Sequence, residues 1–149
     1  MKKQLSSVDR RQNYIILAEN SYLDDNMERA IKFYIKALQF NGNKSENMEI
    51  LYNIAIIYDE MDMPEKALKT YEKIGKIDES EAGAFYGMGT MYERLDDKEK
   101  ALKSYLKAVE IDPDYDRAYF YIANIYDEIG DKDNAIRYYK KVISLNPND

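Results

Sequence analysis

Carboxylates and aromatic rings are the side chains of this sequence that could carry chemistry. Asp59–Glu60 and Asp127–Glu128 are adjacent acidic pairs, and the run DPDYD, Asp112 to Asp116, gathers three more carboxylates. Two carboxylates can act as general acid and base when their environments push their proton affinities apart. Neighbouring positions on a helix do not face each other, and nothing in the sequence marks these pairs as buried. DPDYD opens like a calcium loop, but such a loop needs Gly at its sixth place and Glu at its twelfth. Arg117 and Ala123 stand there, so the run reads as a turn with an Asp capping the next helix. The chain has no His and no Cys, which removes the usual general base, thiolate nucleophiles and the commonest zinc ligands. It also lacks a phosphate-cradling glycine loop. No enzymatic activity, metal or cofactor is expected.

The aromatic residues carry more information. Tyr52, Tyr86 and Phe120 recur every 34 residues, with Tyr121 beside the last. The same interval links IYDEMDMPEKALKTYEK at Ile57, MYERLDDKEKALKSYLK at Met91 and IYDEIGDKDNAIRYYKK at Ile125. A spacing held three times marks an array. Within each unit, apolar residues recur at steps of three and four. Leu51, Ile54, Ala55 and Tyr58 form one stripe, and Ala67, Tyr71 and Ile74 form another. That is helical periodicity on one face. The polar stretches DEMDMPEK, ERLDDKEK and DEIGDKDN between stripes read as turns and helix starts, with Pro64 suited to a first helical turn. Each unit is therefore helix, turn, helix.

This pattern resembles the tetratricopeptide repeat. The last unit matches at Tyr119, Ile122, Ala123, Tyr126, Gly130, Ala135, Tyr139, Val142 and Pro147. The third matches at Phe85, Met88, Gly89, Tyr92, Ala101, Tyr105, Ala108 and Pro113. The second matches at Leu51, Ile54, Ala55, Tyr58, Ala67, Tyr71 and Ile74, with Glu79 in place of the closing Pro. The first is weaker: Tyr14, Leu17, Ala18, Ala30, Tyr34 and Ala37 fit, Ser21 replaces a Tyr and Gly42 replaces the Pro. The resemblance implies an all-α fold, a right-handed superhelix (alpha-alpha solenoid) of antiparallel helix pairs. The expected organisation is an N-terminal extension over residues 1–10 and one domain over 11–149. Its repeats run over about 11–44, 48–81, 82–115 and 116–149, with three extra residues within 41–47. Two helices cross closely only where small residues sit, so Ala55 and Gly89 should face Ala67 and Ala101.

In such arrays the first helix of each pair lines a concave groove. The resemblance therefore implies a protein–protein interaction scaffold that holds a peptide segment there. Helical spacing places Tyr52, Asn53, Asp59, Tyr86, Thr90, Glu93, Arg94, Phe120, Tyr121, Asn124 and Asp127 on the free face of the first helices. Their rings would anchor a ligand, and removing Tyr86 and Tyr121 should leave stability nearly unchanged. Asp59, Glu60, Glu93, Asp127 and Glu128 would form an acidic rim favouring an apolar or basic partner. Gly83 and Gly87 would leave room for a bulky ligand side chain. The alternative is that the rings pack sideways between helices and the rim is a solvated face. Some family members clamp a chaperone's C-terminal carboxylate with Lys, Asn and Arg; here Ile15, Glu19, Gly83 and Gly87 occupy most of those places, so that ligand is not expected.

A different class of function is structural self-assembly. The fourth unit stops where a fifth would begin, and an uncapped last repeat exposes its stacking surface. Ile136, Tyr139 and Ile143 would form an apolar stripe there, able to pair two copies of the chain as a homodimer. The remaining expectations come from composition. A net charge of −6 and a pI near 4.9, with basic residues scattered among acids, argue against nucleic acid. The basic start MKKQLSSVDRRQ has no apolar core behind it and no run is long enough to span a bilayer, so a cytoplasmic address without membrane contact is expected.

Overall fold

A computed structural model describes residues 6–147. Among these residues there are eight α-helices and no strand. They are α1 (Ser7–Leu23), α2 (Met27–Ala37), α3 (Lys44–Glu60), α4 (Pro64–Ile77), α5 (Ala82–Arg94), α6 (Lys98–Ile111), α7 (Asp116–Glu128) and α8 (Lys132–Leu145). The chain divides into two compact units, residues 1–70 and 71–149. In the first, α1 packs on α2 and α2 touches α3; in the second, α5 packs on α6, α7 on α8, and α6 on α7.

The turn inside each pair has one conformation, used four times. The first helix ends on a residue in the left-handed region: Asp25 (φ 59°), Asp62 (58°), Asp96 (58°) or Gly130 (84°). The next amide then reaches back across the last turn, Asn26 to Ser21, Met63 to Tyr58, Asp97 to Tyr92 and Asp131 to Tyr126, at 2.8–2.9 Å. This is the six-to-one closure that ends a helix and satisfies its orphan carbonyls. The same residue starts the following helix. The side chains of Asn26, Asp97 and Asp131 accept from the amides of Arg29, Lys100 and Asn134. Met63 has no capping oxygen, but Pro64 follows it, and proline needs no amide partner at a helix start.

The first unit departs from the regular period in two ways. Helix α1 begins at Ser7, with Ser6 and Asp9 forming a reciprocal cap. Residues 7–10 of the expected extension are therefore helical, while residues 1–5 lie outside the described residues. The insertion within 41–47 lengthens α3, which starts at Lys44, where α5 and α7 begin close to the regular repeat start. It also builds a socket for Arg11. That guanidinium is buried and donates to the carbonyls of Ala37 and Phe40 at 3.0 Å and to Asn47 Oδ1 at 2.9 Å. Glu46 lies 3.7 Å away, and Gly42 is the residue over which the guanidinium lies flat. A buried cation is tolerable only when its donors are spent this way.

The core of the first unit joins Ala18, Ala30, Tyr34 and Ala37 to Ile50, Ile54 and Ile57. That of the second joins Ala101, Tyr105 and Ala108 to Ala118, Ile122 and Ile125. Small residues are buried at the crossings, and at two glycines the nearest neighbour is a tyrosine ring. A Cβ on Gly89 would lie 2.6 Å from Tyr105 Cε1, and one on Gly87 would lie 2.5 Å from Tyr71 Cε1. Gly89→Ala should thus lose about 1–3 kcal/mol to overpacking against a helix-propensity gain of about 1 kcal/mol, a net destabilisation readable by urea unfolding. A variant as stable as the parent would show that the Tyr105 ring can move aside.

Candidate functional site

Second-unit aromatics form one contiguous cluster. Tyr86 on α5 meets Tyr105 at 5.7 Å, Tyr115 at 5.2 Å and Tyr121 at 5.9 Å between ring centroids. Tyr121 stacks on Tyr105 at 5.3 Å, and Phe120 meets Tyr121 edge-on at 5.8 Å. Tyr86 and Tyr121 are half-buried and pack against the core, whereas Phe120 is 47% exposed. Tyr86, Phe120 and Tyr121 wall a cleft of about 380 Å³, with Asp116 and Arg117 at the start of α7 and Asn146 behind them. Asp116 accepts from Asn146 Nδ2 at 2.9 Å, and that bond holds its carboxyl below the usual range.

The sequence places Tyr86 and Tyr121 on a free face; the structure makes them half core. Removing both would strip the packing from Tyr105, so their loss would not be neutral for stability. Gly87 offers no ligand space either, because the Tyr71 ring fills it. Gly83, by contrast, is half-exposed at the start of α5. The other expected groove residues divide between exposed and internally bonded. Thr90 donates to the Gly87 carbonyl of its own helix at 2.8 Å. Asn124 Oδ1 accepts from Tyr139 at 2.5 Å, which ties that ring to α7. Arg94 is exposed at the end of α5.

Much of the acidic rim is compensated within its own unit. Glu93 accepts a hydrogen bond from the buried Tyr105 hydroxyl. Asp127 accepts from Lys132 at 2.5 Å, and Glu128 from Lys98. In the first unit Tyr22 donates to both Glu60 oxygens at 2.9 Å. Asp59, Tyr52 and Asn53 are half-buried on α3. Asn53 borders a larger cleft of about 550 Å³ whose walls include Glu19, Tyr34, Glu46 and Glu49. Tyr34 is buried there. Burial raises its hydroxyl pKa, the carboxylates of Glu19 and Glu49 raise it further, and a hydrogen bond with Asn53 opposes them.

The tyrosine at the same place in each second helix does more than pack: Tyr34 lines the first-unit cleft, Tyr105 bonds Glu93, and Tyr139, expected in the self-association stripe, bonds Asn124. Tyr115 escaped the sequence pattern, because it lies in a turn rather than on a periodic stripe.

Short helices joined in pairs by one recurring left-handed turn, with small residues under tyrosine rings, define a helix-pair repeat protein. Within that class the chain belongs to the tetratricopeptide repeat family, whose models match residues 49–78, 82–115 and 116–149. No curated protein sequence matches it. Among solved structures it resembles a MamA protein, at 26% identity over 94% of this chain and 75% of that one, with a TM-score of 0.80. It is also similar to MamA 41-end from Desulfovibrio magneticus RS-1, at 19% identity over 97% and 80% of the two chains, with a TM-score of 0.79. A third is YrrB, described as a TPR protein with an unusual peptide-binding site, at 17% identity over 93% and 70%, with a TM-score of 0.74. The last two likenesses are of fold. No described helix is long and apolar enough to cross a membrane.

The tyrosine cluster predicts an alkaline response. Burial raises the hydroxyl pKa of Tyr86, with Tyr121 adding to it, and raises that of Tyr105, with Glu93 adding to it. A raised folded-state pKa means the native state holds its proton longer than the unfolded chain. The resulting stability is intact below the unfolded pKa of about 10 and is lost as the pH climbs above it. Tyrosinate absorbance should therefore rise in two stages, the second coinciding with loss of helical circular dichroism. Tyr105→Phe should shrink the second stage. A single stage complete before helix loss would contradict this assignment.

Proposed function

We propose that this protein is an interaction scaffold that holds an apolar or basic peptide segment against the first helices of its repeats. The observation that carries the reading is the second-unit cleft: an exposed Phe120 set on a braced platform of Tyr86 and Tyr121, with the Asp116 carboxylate at its edge. Rigid aromatic anchors give large contact area at small entropic cost and dominate binding energy at interfaces. Asp116 suits a basic flanking residue. In the first unit Glu19 and Glu49 beside Tyr34 supply the same preference. Family membership and the peptide site named for YrrB support a binding role over catalysis. Phe120→Ala tests the reading cleanly, because that ring is the exposed member of the cluster. Affinity capture from the native cell should lose its partner, with binding weakened about thirtyfold or more, as for a hot-spot residue. Capture unchanged by Phe120→Ala would defeat the proposal.

A second reading rests on α8, where Ile136 and Ile143 are 53% and 66% exposed on one face. We propose that this face pairs two copies about a two-fold axis, a closed arrangement. Light scattering on the eluting peak should show a dimer that Ile136→Lys with Ile143→Lys converts to monomer. A monomeric parent at high concentration would exclude the pairing.

A further inference from the structure

The second unit contains a cationic cleft that shares no lining residue with the aromatic one. It lies where the middle and end of α8 meet α6 and α7, and encloses about 460 Å³. Arg137, Lys140 and Lys141 line it together with Tyr138, Tyr119 and Val109, and no carboxylate is in its lining. That is unusual in a chain of net charge −6. Five other lysines of this unit are each paired: Lys98 with Glu128, Lys100 with Asp97, Lys103 with Glu99, Lys107 with Glu110 and Lys132 with Asp127. Among the described residues, Arg137, Lys140 and Lys141 make no ion pair.

Two of the three are also held in place. The Arg137 guanidinium lies 5.7 Å from the Tyr138 ring centroid, and Lys141 Nζ lies 5.5 Å from that of Tyr119. Those rings belong to a stack: Tyr138 sits between Tyr126 at 5.6 Å and Tyr119 at 6.2 Å, and the Tyr119 hydroxyl donates to the Pro113 carbonyl at 2.9 Å. Asp112 and Asp114 lie toward the Tyr119 hydroxyl and Asp131 toward that of Tyr126, outside the cleft lining. Cations parked on fixed rings have already lost much of the freedom that binding would otherwise cost them.

We propose that this cleft binds an acidic protein segment, with carboxylates on Arg137, Lys140 and Lys141 and an apolar side chain against Val109 and Tyr138. Distribution of charge favours carboxylates strung along a chain over a compact phosphate. The three cations follow one another along one face of α8 over about 6 Å of helix axis. Lys140 and Lys141 sit in the carbonyl-ended half of α8 and Arg137 near its middle, beyond the first turn whose free amides could cradle a dianion.

The test uses the full chain and a fluorescein-labelled peptide, acetyl-Glu-Asp-Leu-Glu-Glu-Leu-Asp-Glu-amide, with a control in which Gln and Asn replace the acids. Anisotropy should report binding at about 50 mM salt that weakens at least about tenfold at about 0.5 M, as expected when surface charges are screened. Lys140→Glu with Lys141→Glu should weaken it by about tenfold or more, whereas the same charge change at the paired Lys98 and Lys103 should cost less than about threefold. Phe120→Ala should leave this binding unchanged, which separates it from the peptide groove. Equal binding of the two peptides, or equal loss from the two double variants, would overturn the proposal. So would tripolyphosphate binding at Lys140 and Lys141 without peptide binding, since that would mark a compact phosphate site.

Discussion

The packing of the second unit depends on tyrosine rings lying on residues too small to resist them. Tyr105 lies over Gly89 and Tyr71 over Gly87, each at a distance where one added carbon would collide. The contact sets how near the second helix of a pair comes to a first helix. It also decides where the hydroxyl of the ring emerges. From Tyr105 it reaches Glu93, and from Tyr139 it reaches Asn124. Packing and surface chemistry are therefore one feature. The ring that fills the crossing also fixes the polar group on the exposed side, and Tyr86 and Tyr121 lean on that ring in turn.

Electrostatics divides the second unit into two kinds of surface. Along α6 and at the start of α8, cations and carboxylates neutralise one another across one or two turns. Such exposed pairs contribute little to stability, but they silence charge that would otherwise attract partners. The two clefts carry different charge: Asp116 and Arg117 together at the aromatic one, and Arg137, Lys140 and Lys141 at the one on α8. A scaffold with opposite preferences on different helices could bring two dissimilar segments to one protein.

The repeat period, the helix pairs and the apolar stripes were legible because they follow from spacing alone. Helical periodicity shows which residues face inward, and Ala101, Ile122 and Ala123 are buried as the stripes require. Spacing does not say how far a side chain reaches. Tyr105 was recognisable as core, yet its bond to Glu93 depends on a ring crossing the whole pair. Gly87 looked like room for a ligand because the neighbour that fills it, Tyr71, lies sixteen residues earlier. Arg11 left no trace in the pattern. Its socket combines two carbonyls with an irregular insertion, and backbone carbonyls have no sequence signature.

The four left-handed turns also bear on how the chain acquires its structure. Each closes with bonds between residues at most five apart, and each ends one helix while starting the next. A helix hairpin can thus be specified before any distant part of the chain is in place. Low sequence separation between contacting groups is what lets helical proteins fold quickly. Hydrogen exchange should accordingly sort the amides by helix pair, each pair opening as its own cooperative unit.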